Sequence, residues 1–174
     1  MCPEPSSFPL SFPQDYVSGF DVALFEPDIP LNVGSIARTC AITRTPLHLV
    51  GRVGFILDDR IARRAGLDYW EQAEVHIHPL WNDFIKVMGS RRMFLFSTKG
   101  RRSFWEAEFR TGDVFVFGSE GSGLPEEIRE SGIGEMLTIP MVRGFRSLNL
   151  SNCVAIALYE GMRQQYDSPR QLSR

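Results

Sequence analysis

No apolar run in this 174-residue chain reaches the roughly 18 residues that span a bilayer, which argues against a membrane protein. Cysteine is scarce. Cys2, Cys40 and Cys153 are odd in number and fall at no metal-ligand spacing, so a disulfide framework and a zinc site are disfavoured and reduced thiols in a cytoplasmic protein are expected. A basic excess is missing too: 19 Lys and Arg against 21 Asp and Glu leave a formal net charge of −2, and the overall composition does not advertise nucleic-acid binding. Residues 1–19, MCPEPSSFPLSFPQDYVSG, contain four prolines but neither Lys nor Arg, which fits no secretory signal or Arg-rich transit peptide. They read as a poorly ordered extension, with the domain over 20–165 and a tail over 166–174. No internal repeat is visible, and 43% hydrophobic with 23% charged residues suits one globular domain with its own core.

What is present is an alternation. DVALFE (21–26), LHLV (47–50), EVHIHPL (74–80), MFLFST (93–98), DVFVFGS (113–119) and MLTIP (136–140) are short, apolar and rich in Val, Ile and Phe, and read as six strands. Between the first two, Val33, Ile36, Ala37 and Cys40 recur at i, i+3, i+4 and i+7, one face of a helix for which Asn32 is a candidate N-cap, with Arg38 off that face. Further helices are expected from Asp58 or Asp59 in DDRIARRAGLDYW, in PLWNDFIKVMG, and in LPEEIRESG, where Pro125 starts it and Gly132 lies past its end. The longest, LNLSNCVAIALYEGMRQQY, is apolar nearly all round its middle and is expected to be buried on more than one side. Strands alternating with helices predict an α/β domain with a mostly parallel sheet covered on both faces.

Ligands of open parallel sheets sit beyond the carboxyl ends of the strands. Three polar or glycine-rich segments follow strands here: TKGRRS, GSEGSGLP and PMVRGFRSLNLSN. The second belongs to DVFVFGSEGSGLPEEI (113–128), a strand, a glycine loop and a helix start, which is the layout of phosphate-binding motifs. Yet the Gly-Lys-Ser/Thr ending of a P-loop is absent, the glycines at 118, 121 and 123 miss the G-x-G-x-x-G spacing, and Glu120 would repel a polyphosphate. The loop is either a tight turn without a ligand or a close backbone approach to something that is not polyanionic.

Local basic clusters stand out against the neutral sum: Arg60, Arg63 and Arg64; Arg91, Arg92, Lys99, Arg101 and Arg102; Arg143 and Arg146. They are a solvated face or a grip on an anionic partner. His48, His76 and His78 are weak candidates for catalysis; His76 and His78 share one strand face but make a poor metal site without a carboxylate or cysteine nearby, and Trp70, Trp81 and Trp105 read as core or interface.

Three stretches together, PDIPLNVGSIARTC (27–40), VFGSEGSGLP (116–125) and LTIPMVRGFRSLNLSNCVAIALYE (137–160), resemble the three signature motifs of the SPOUT superfamily of RNA methyltransferases. With LFEPDIPLNVGSIARTCA, RRAGLDYW and STKG added, the resemblance narrows to the single-domain tRNA (cytidine/uridine) 2′-O-methyltransferases that modify the wobble nucleotide of certain leucine tRNAs. It covers about residues 20 to 165. It implies S-adenosylmethionine as methyl donor, S-adenosylhomocysteine as product, a homodimer, tRNA as partner, no metal and no membrane, and a C-terminal deep trefoil knot. A sulfonium bearing adenine and an amino-acid tail needs apolar walls and backbone partners, and a glycine loop with a carboxylate tolerates it.

By matching position, the resemblance implies that Phe96, Gly118, Glu120, Gly121, Gly123, Leu124, Ile139, Ser147 and Leu148 lie along the cofactor. Arg38, Asn32, Ser147 and Asn149 are its candidate catalytic residues. Outside that context the glycines read as turn geometry, Ile139 and Leu148 as core, and Asn32 as a helix cap. The implied reaction is in-line methyl transfer to a ribose 2′-hydroxyl, driven mainly by positioning. In related enzymes the arginine of the first motif is proposed to help remove the hydroxyl proton. A guanidinium is almost always charged, so the physical role expected of Arg38 is to bind the adjacent phosphate and stabilise the developing alkoxide. Arg38, Arg102, Arg143 and Arg146 are the expected phosphate contacts. Gly144 and Phe145 mark local variation that would alter substrate fit. Two rivals stay open: a ribose methyltransferase acting on ribosomal RNA or another tRNA position, and an RNA-binding module that holds a cofactor without catalysis.

Overall fold

The computed structural model describes residues 11–53 and 67–166. Each expected strand forms, most of them trimmed at polar or proline-bearing ends, the second with the expected bounds and the last beginning one residue early: β1 Asp21–Phe25, β2 Leu47–Val50, β3 Val75–His78, β4 Met93–Phe96, β6 Val114–Phe117 and β7 Glu135–Thr138. A further two-residue strand, β5 Arg102–Ser103, joins the edge beside β7, too short and polar for any pattern to reveal. The helices are α1 Pro30–Thr43, α2 Trp81–Met88, α3 Glu126–Glu130 and α4 Leu150–Tyr166. The helix expected from Asp58 or Asp59, Arg60, Arg63, Arg64 and Cys2 lie outside the described residues.

All strand pairs are parallel, in the order β3-β2-β1-β6-β4-β7-β5. β2, β4 and β6 are buried along their whole length, because helices cover both faces and leave no water-facing side to alternate. On one face α1 (Val33, Ile36, Ala37, Cys40) and α4 (Val154, Ala157, Leu158) pack on Val22, Leu24, Leu49, Phe115 and Phe117. On the other, Phe84 and Met88 of α2 and Ile128 of α3 pack on Ala23, Val50, Leu95, Val114 and Val116. Each fully buried Val, Leu or Phe stabilises by about 1.5–3 kcal/mol, so these two layers hold the domain together. The chain joins it before residue 20: Tyr16 packs against the first layer, and the Ser18 amide donates to the Thr43 carbonyl at 3.0 Å.

Two expectations about the helices are corrected. Asn32 is not the N-cap of α1, which begins at Pro30 with Ile29 at the cap position. Asn32 is inside the first turn and buried. α4 is buried along one stripe only, through Leu150, Val154, Ala157, Leu158, Gly161 and Met162, while Ile156 and Tyr159 on its outer side are exposed. Gly161 lets that stripe approach the sheet: a Cβ there would meet the Phe115 and Phe20 rings at 3.0 Å.

From the start of β1, across β2, to the last residue of β3 runs a polar chain that the histidine spacing alone did not reveal. Arg91 donates through Nη1 and Nη2 to Asp21 at 2.7 and 2.6 Å, His48 Nε2 lies 2.9 Å from Asp21 Oδ2, and His48 Nδ1 lies 2.9 Å from His78 Nε2. With His48 neutral, its Nε2–H donates to Asp21 and its Nδ1 accepts from the Nε2–H of His78. Burial pushes the Asp21 carboxyl up, but hydrogen bonds from His48 and Arg91 outweigh it and bring the group from 3.8 down to about 2. A carboxylate lowered by folding adds stability above its unfolded value and loses it as pH falls through the folded one. Urea midpoints of the wild type are therefore expected to drop between about pH 4 and pH 2, and Asp21→Asn to be weaker at neutral pH but flatter over that interval.

Candidate active site

β6, β4 and β7 are neighbours in the sheet, so the segments that follow them meet at one edge. There they enclose a cavity of about 630 Å³, a size that suits a small organic ligand. Phe96 and residues 97–99 come from the end of β4, residues 117–124 from β6, and Thr138, Ile139 and Met141 from β7; residues 146–150, Arg129 of α3, Cys153 of α4 and the start of α1 complete it. Every residue that the sequence singles out for the site lines this cavity except Arg38: Asn32, Phe96, Gly118, Glu120, Gly121, Gly123, Leu124, Ile139, Ser147, Leu148 and Asn149. Lining residues that fall inside the motifs without having been singled out include Ile29, Thr138, Met141 and Cys153. Burial, opposed by a backbone hydrogen bond, pushes the Cys153 thiol up to about 11, so it lines the wall as a neutral group rather than a nucleophile.

The glycine loop folds back on itself. The Gly123 amide donates to the Ser119 carbonyl at 2.9 Å, and the Ser119 and Ser122 hydroxyls lie 2.7 Å apart. Gly123 has φ +69°, the left-handed region, and at Gly118 a Cβ would sit 2.1 Å from the Gly123 carbonyl carbon and from the Leu124 nitrogen. Only hydrogen fits at 118.

Glu120, which lines the cavity, also reaches across to α1. Its Oε2 accepts from the Asp28 amide at 2.8 Å, and its Oε1 accepts from the Ile29 amide at 3.3 Å and from Asn32 Nδ2 at 2.7 Å. α1 has no acidic residue in its own first turn, so this carboxylate from a distant loop complements its N-terminus. Asn32 passes the connection on: its Oδ1 accepts from Asn149 Nδ2 at 2.9 Å, and Asn149 Oδ1 accepts from the Ser151 amide and hydroxyl at 2.9 and 2.6 Å, capping α4. Glu120, Asn32 and Asn149 thus pin the glycine loop, α1 and α4 around the cavity. All three groups facing Glu120 are donors, and a glutamine offers only one acceptor oxygen: placed at Oε1 it still accepts from Asn32 and Ile29 but turns an NH2 toward the Asp28 amide. Glu120→Ala strands the buried Asn32 amide and is expected to cost about 1–3 kcal/mol in urea denaturation, with Glu120→Gln between it and wild type. An alanine variant as stable as wild type would contradict this.

Arg38 projects from the exposed side of α1, with its guanidinium carbon 4.7 Å from the centre of the Tyr69 ring. That stacking holds a flat cation in place with no carboxylate paired to it among the described residues. Among the described residues Arg38, Lys99, Arg101, Arg143 and Arg146 have no ion-pair partner. Arg102, expected to be a phosphate contact, is instead committed: it ion-pairs with Glu135 and donates to the Glu106 carbonyl. The described residues include no group of three His, Cys, Asp or Glu able to hold a metal, and no helix among them is long and apolar enough to cross a membrane.

The walls fit adenosylmethionine better than a polyphosphate. Phe96, Leu124, Ile139 and Leu148 are apolar, the glycine loop brings backbone close, and Leu124 stands where a P-loop beginning at Gly118 would carry its lysine. A parallel α/β sheet whose cavity is built by the loops after β4, β6 and β7 is the arrangement of a SPOUT-class methyltransferase domain. The chain belongs to the SpoU rRNA Methylase family, which it matches over residues 19–159. It is 49% identical over 146 residues, 83% of this chain and 95% of the relative, to the tRNA (cytidine(34)-2′-O)-methyltransferase of Methylovorus glucosotrophus (strain SIP3-4). A solved structure described as "Structural insights into the 2-OH methylation of C/U34 on tRNA" superposes with a TM-score of 0.80 at 41% identity, covering 86% of this chain and 97% of that one. The fold is also that of an AdoMet-bound rRNA methyltransferase from Sinorhizobium meliloti, with TM-score 0.74, 24% identity, and coverage of 83% of this chain and 56% of that one.

Proposed function

We propose that the protein transfers the methyl group of S-adenosylmethionine to the ribose 2′-hydroxyl of the wobble nucleotide of tRNA, cytidine or uridine 34, in leucine isoacceptors. It does so as a cytoplasmic homodimer. The observation that carries the reading is the convergence of three segments far apart in sequence, 27–40, 116–125 and 137–160, on one glycine-walled cavity whose lining includes Arg146, without an ion pair among the described residues. The exposed Ile156 and Tyr159 of α4 support the homodimer, since an unpartnered apolar face on a long helix is the usual mark of an interface. The shared lining of the cavity by residues 118–124 and 146–150 supports the trefoil knot that belongs to the same reading.

Adenosylmethionine supplies an electrophilic methyl carbon on a sulfonium. The chain's own residues supply position and charge. Phe96, Ile139, Leu148 and the loop backbone hold the donor and exclude water, and Glu120, Asn32 and Asn149 keep the loops around it in place. Arg38 is the cation available to the phosphate beside the reacting ribose and to the oxygen as it loses its proton. The Ser147 hydroxyl lines the exposed rim and is available to the substrate.

Radiolabelled adenosylmethionine and total tRNA from a strain lacking the gene test the proposal. Label on nucleotide 34 of leucine tRNAs supports it; label on ribosomal RNA or another position replaces the substrate; cofactor binding without label leaves a non-catalytic module. With the true substrate, each phosphate contact adds about −0.7 to −0.9 to the log-log slope of affinity against salt. Gln substitutions of Arg143 or Arg146 are expected to flatten the slope by one such step, and Arg102→Gln to leave it unchanged.

A further inference from the structure

The loop after β7 presents an aromatic ring to solvent beside the cavity. Phe145 is 74% exposed, the most exposed phenylalanine among the described residues, and Val142 in the same loop is 75% exposed. Most of the other described phenylalanines are core residues, so this one has been left out of the packing that usually claims the type. Gly144, with φ +97° and open space where a Cβ would be, turns the backbone immediately before it. Arg143 and Arg146 flank the ring, both exposed and without ion pairs among the described residues, and Arg146 lines the cavity itself. No acidic residue occurs between positions 139 and 149.

An exposed aromatic between two free cations, at the mouth of a cavity, matches the chemistry of an unpaired nucleotide: a π-face for the base and a guanidinium for the phosphate on either side. An apolar protein partner would not need the cations, and a bare phosphate would not need the ring. We infer that Phe145 is the stacking platform for an unpaired base of the substrate RNA, with Arg143 and Arg146 holding the adjoining phosphates. This rests on the methyltransferase reading above and adds a residue that fixes which part of the RNA lies over the cavity. Stacking acts on binding and placement of the strand, while the methyl donor lies deeper, against residues that Phe145 does not join.

The test compares wild type, Phe145→Ala and Phe145→Trp on a synthetic anticodon stem-loop with cytidine or uridine at position 34, and on a panel of the same stem-loop carrying one abasic nucleotide at each loop position. Loss of the ring is expected to raise KM for the RNA by about 10- to 100-fold, with kcat at saturating RNA within about threefold and adenosylmethionine affinity unchanged. Tryptophan restores KM. On the abasic panel one position is expected where wild type and Phe145→Ala become equal, because the stacked base is already gone. A KM for Phe145→Ala within about twofold of wild type overturns the assignment, as does a penalty that is the same at every abasic position. A shift in the sedimentation of the free protein assigns the ring to an interface between copies and also overturns it. If wild type itself transfers no methyl group to any tRNA, the methyltransferase reading falls and takes the platform with it. An active wild type with a normal Phe145→Ala sinks the platform alone.

Discussion

Gly118→Ala is expected to abolish measurable adenosylmethionine binding and to lower the melting temperature. The added carbon would lie 2.1 Å from two backbone atoms, the Gly123 carbonyl carbon and the Leu124 nitrogen, and neither is a flexible tip that can swing aside. The loop must open, and opening it displaces Glu120, whose oxygens hold the start of α1. Overpacking of this kind costs about 1–3 kcal/mol or more, enough to move the cavity wall even where the sheet survives. Calorimetric titration should show affinity reduced by more than about 100-fold, the equivalent of some 2.7 kcal/mol. Gly121→Ala is the control: a Cβ there meets nothing nearer than Asp28 Oδ2 at 3.6 Å, so binding should stay close to wild type. Equal effects at 118 and 121 would mean that loop flexibility, rather than the close backbone crossing, is what the site needs.

Arg38→Lys is expected to do the reverse: cofactor affinity retained, turnover lost. Arg38 does not line the cavity, so the donor's contacts are untouched. A lysine keeps the charge but loses the planar fork that binds a phosphate with two parallel bonds and the flat face that stacks on Tyr69. Removing one preorganised group that stabilises a developing oxyanion costs about 100- to 1000-fold in kcat, which is the loss to look for in single-turnover methyl transfer. Tyr69→Phe keeps the ring and should keep most of the rate, while Tyr69→Leu should lie between wild type and Arg38→Lys. Near-normal turnover in Arg38→Lys would remove Arg38 from the chemistry.

The strands were legible because a sheet buried on both faces writes continuous Val, Ile and Phe runs, and α1 because four apolar residues fall on one face. β5 was not, since two residues carry no period. The glycine spacing located the loop and its lack of a P-loop lysine excluded polyphosphate. What no spacing could reveal was who bonds to whom across the fold. Asn32 looks like a cap in one dimension and is a buried bridge in three. Glu120 reads as a residue of the glycine loop alone, and in three dimensions it also holds the start of α1. Arg102 belongs to a basic run yet is neutralised by Glu135, 33 residues on. The pairing of Asp21 with His48 arises from strand register, which a single sequence leaves unwritten.

The bridge from Glu120 through Asn32 to Asn149 spans separations of 88 and 117 residues. Contacts that distant form late, because the chain entropy lost in closing them is repaid only when both ends are in place. A chain still emerging from the ribosome without its last helix has the sheet's first strands and the glycine loop but no third anchor for the pocket. The donor pocket is thus expected to close only once residues 146–150 and α4 have been added, and a copy cut short before them to be silent rather than indiscriminate.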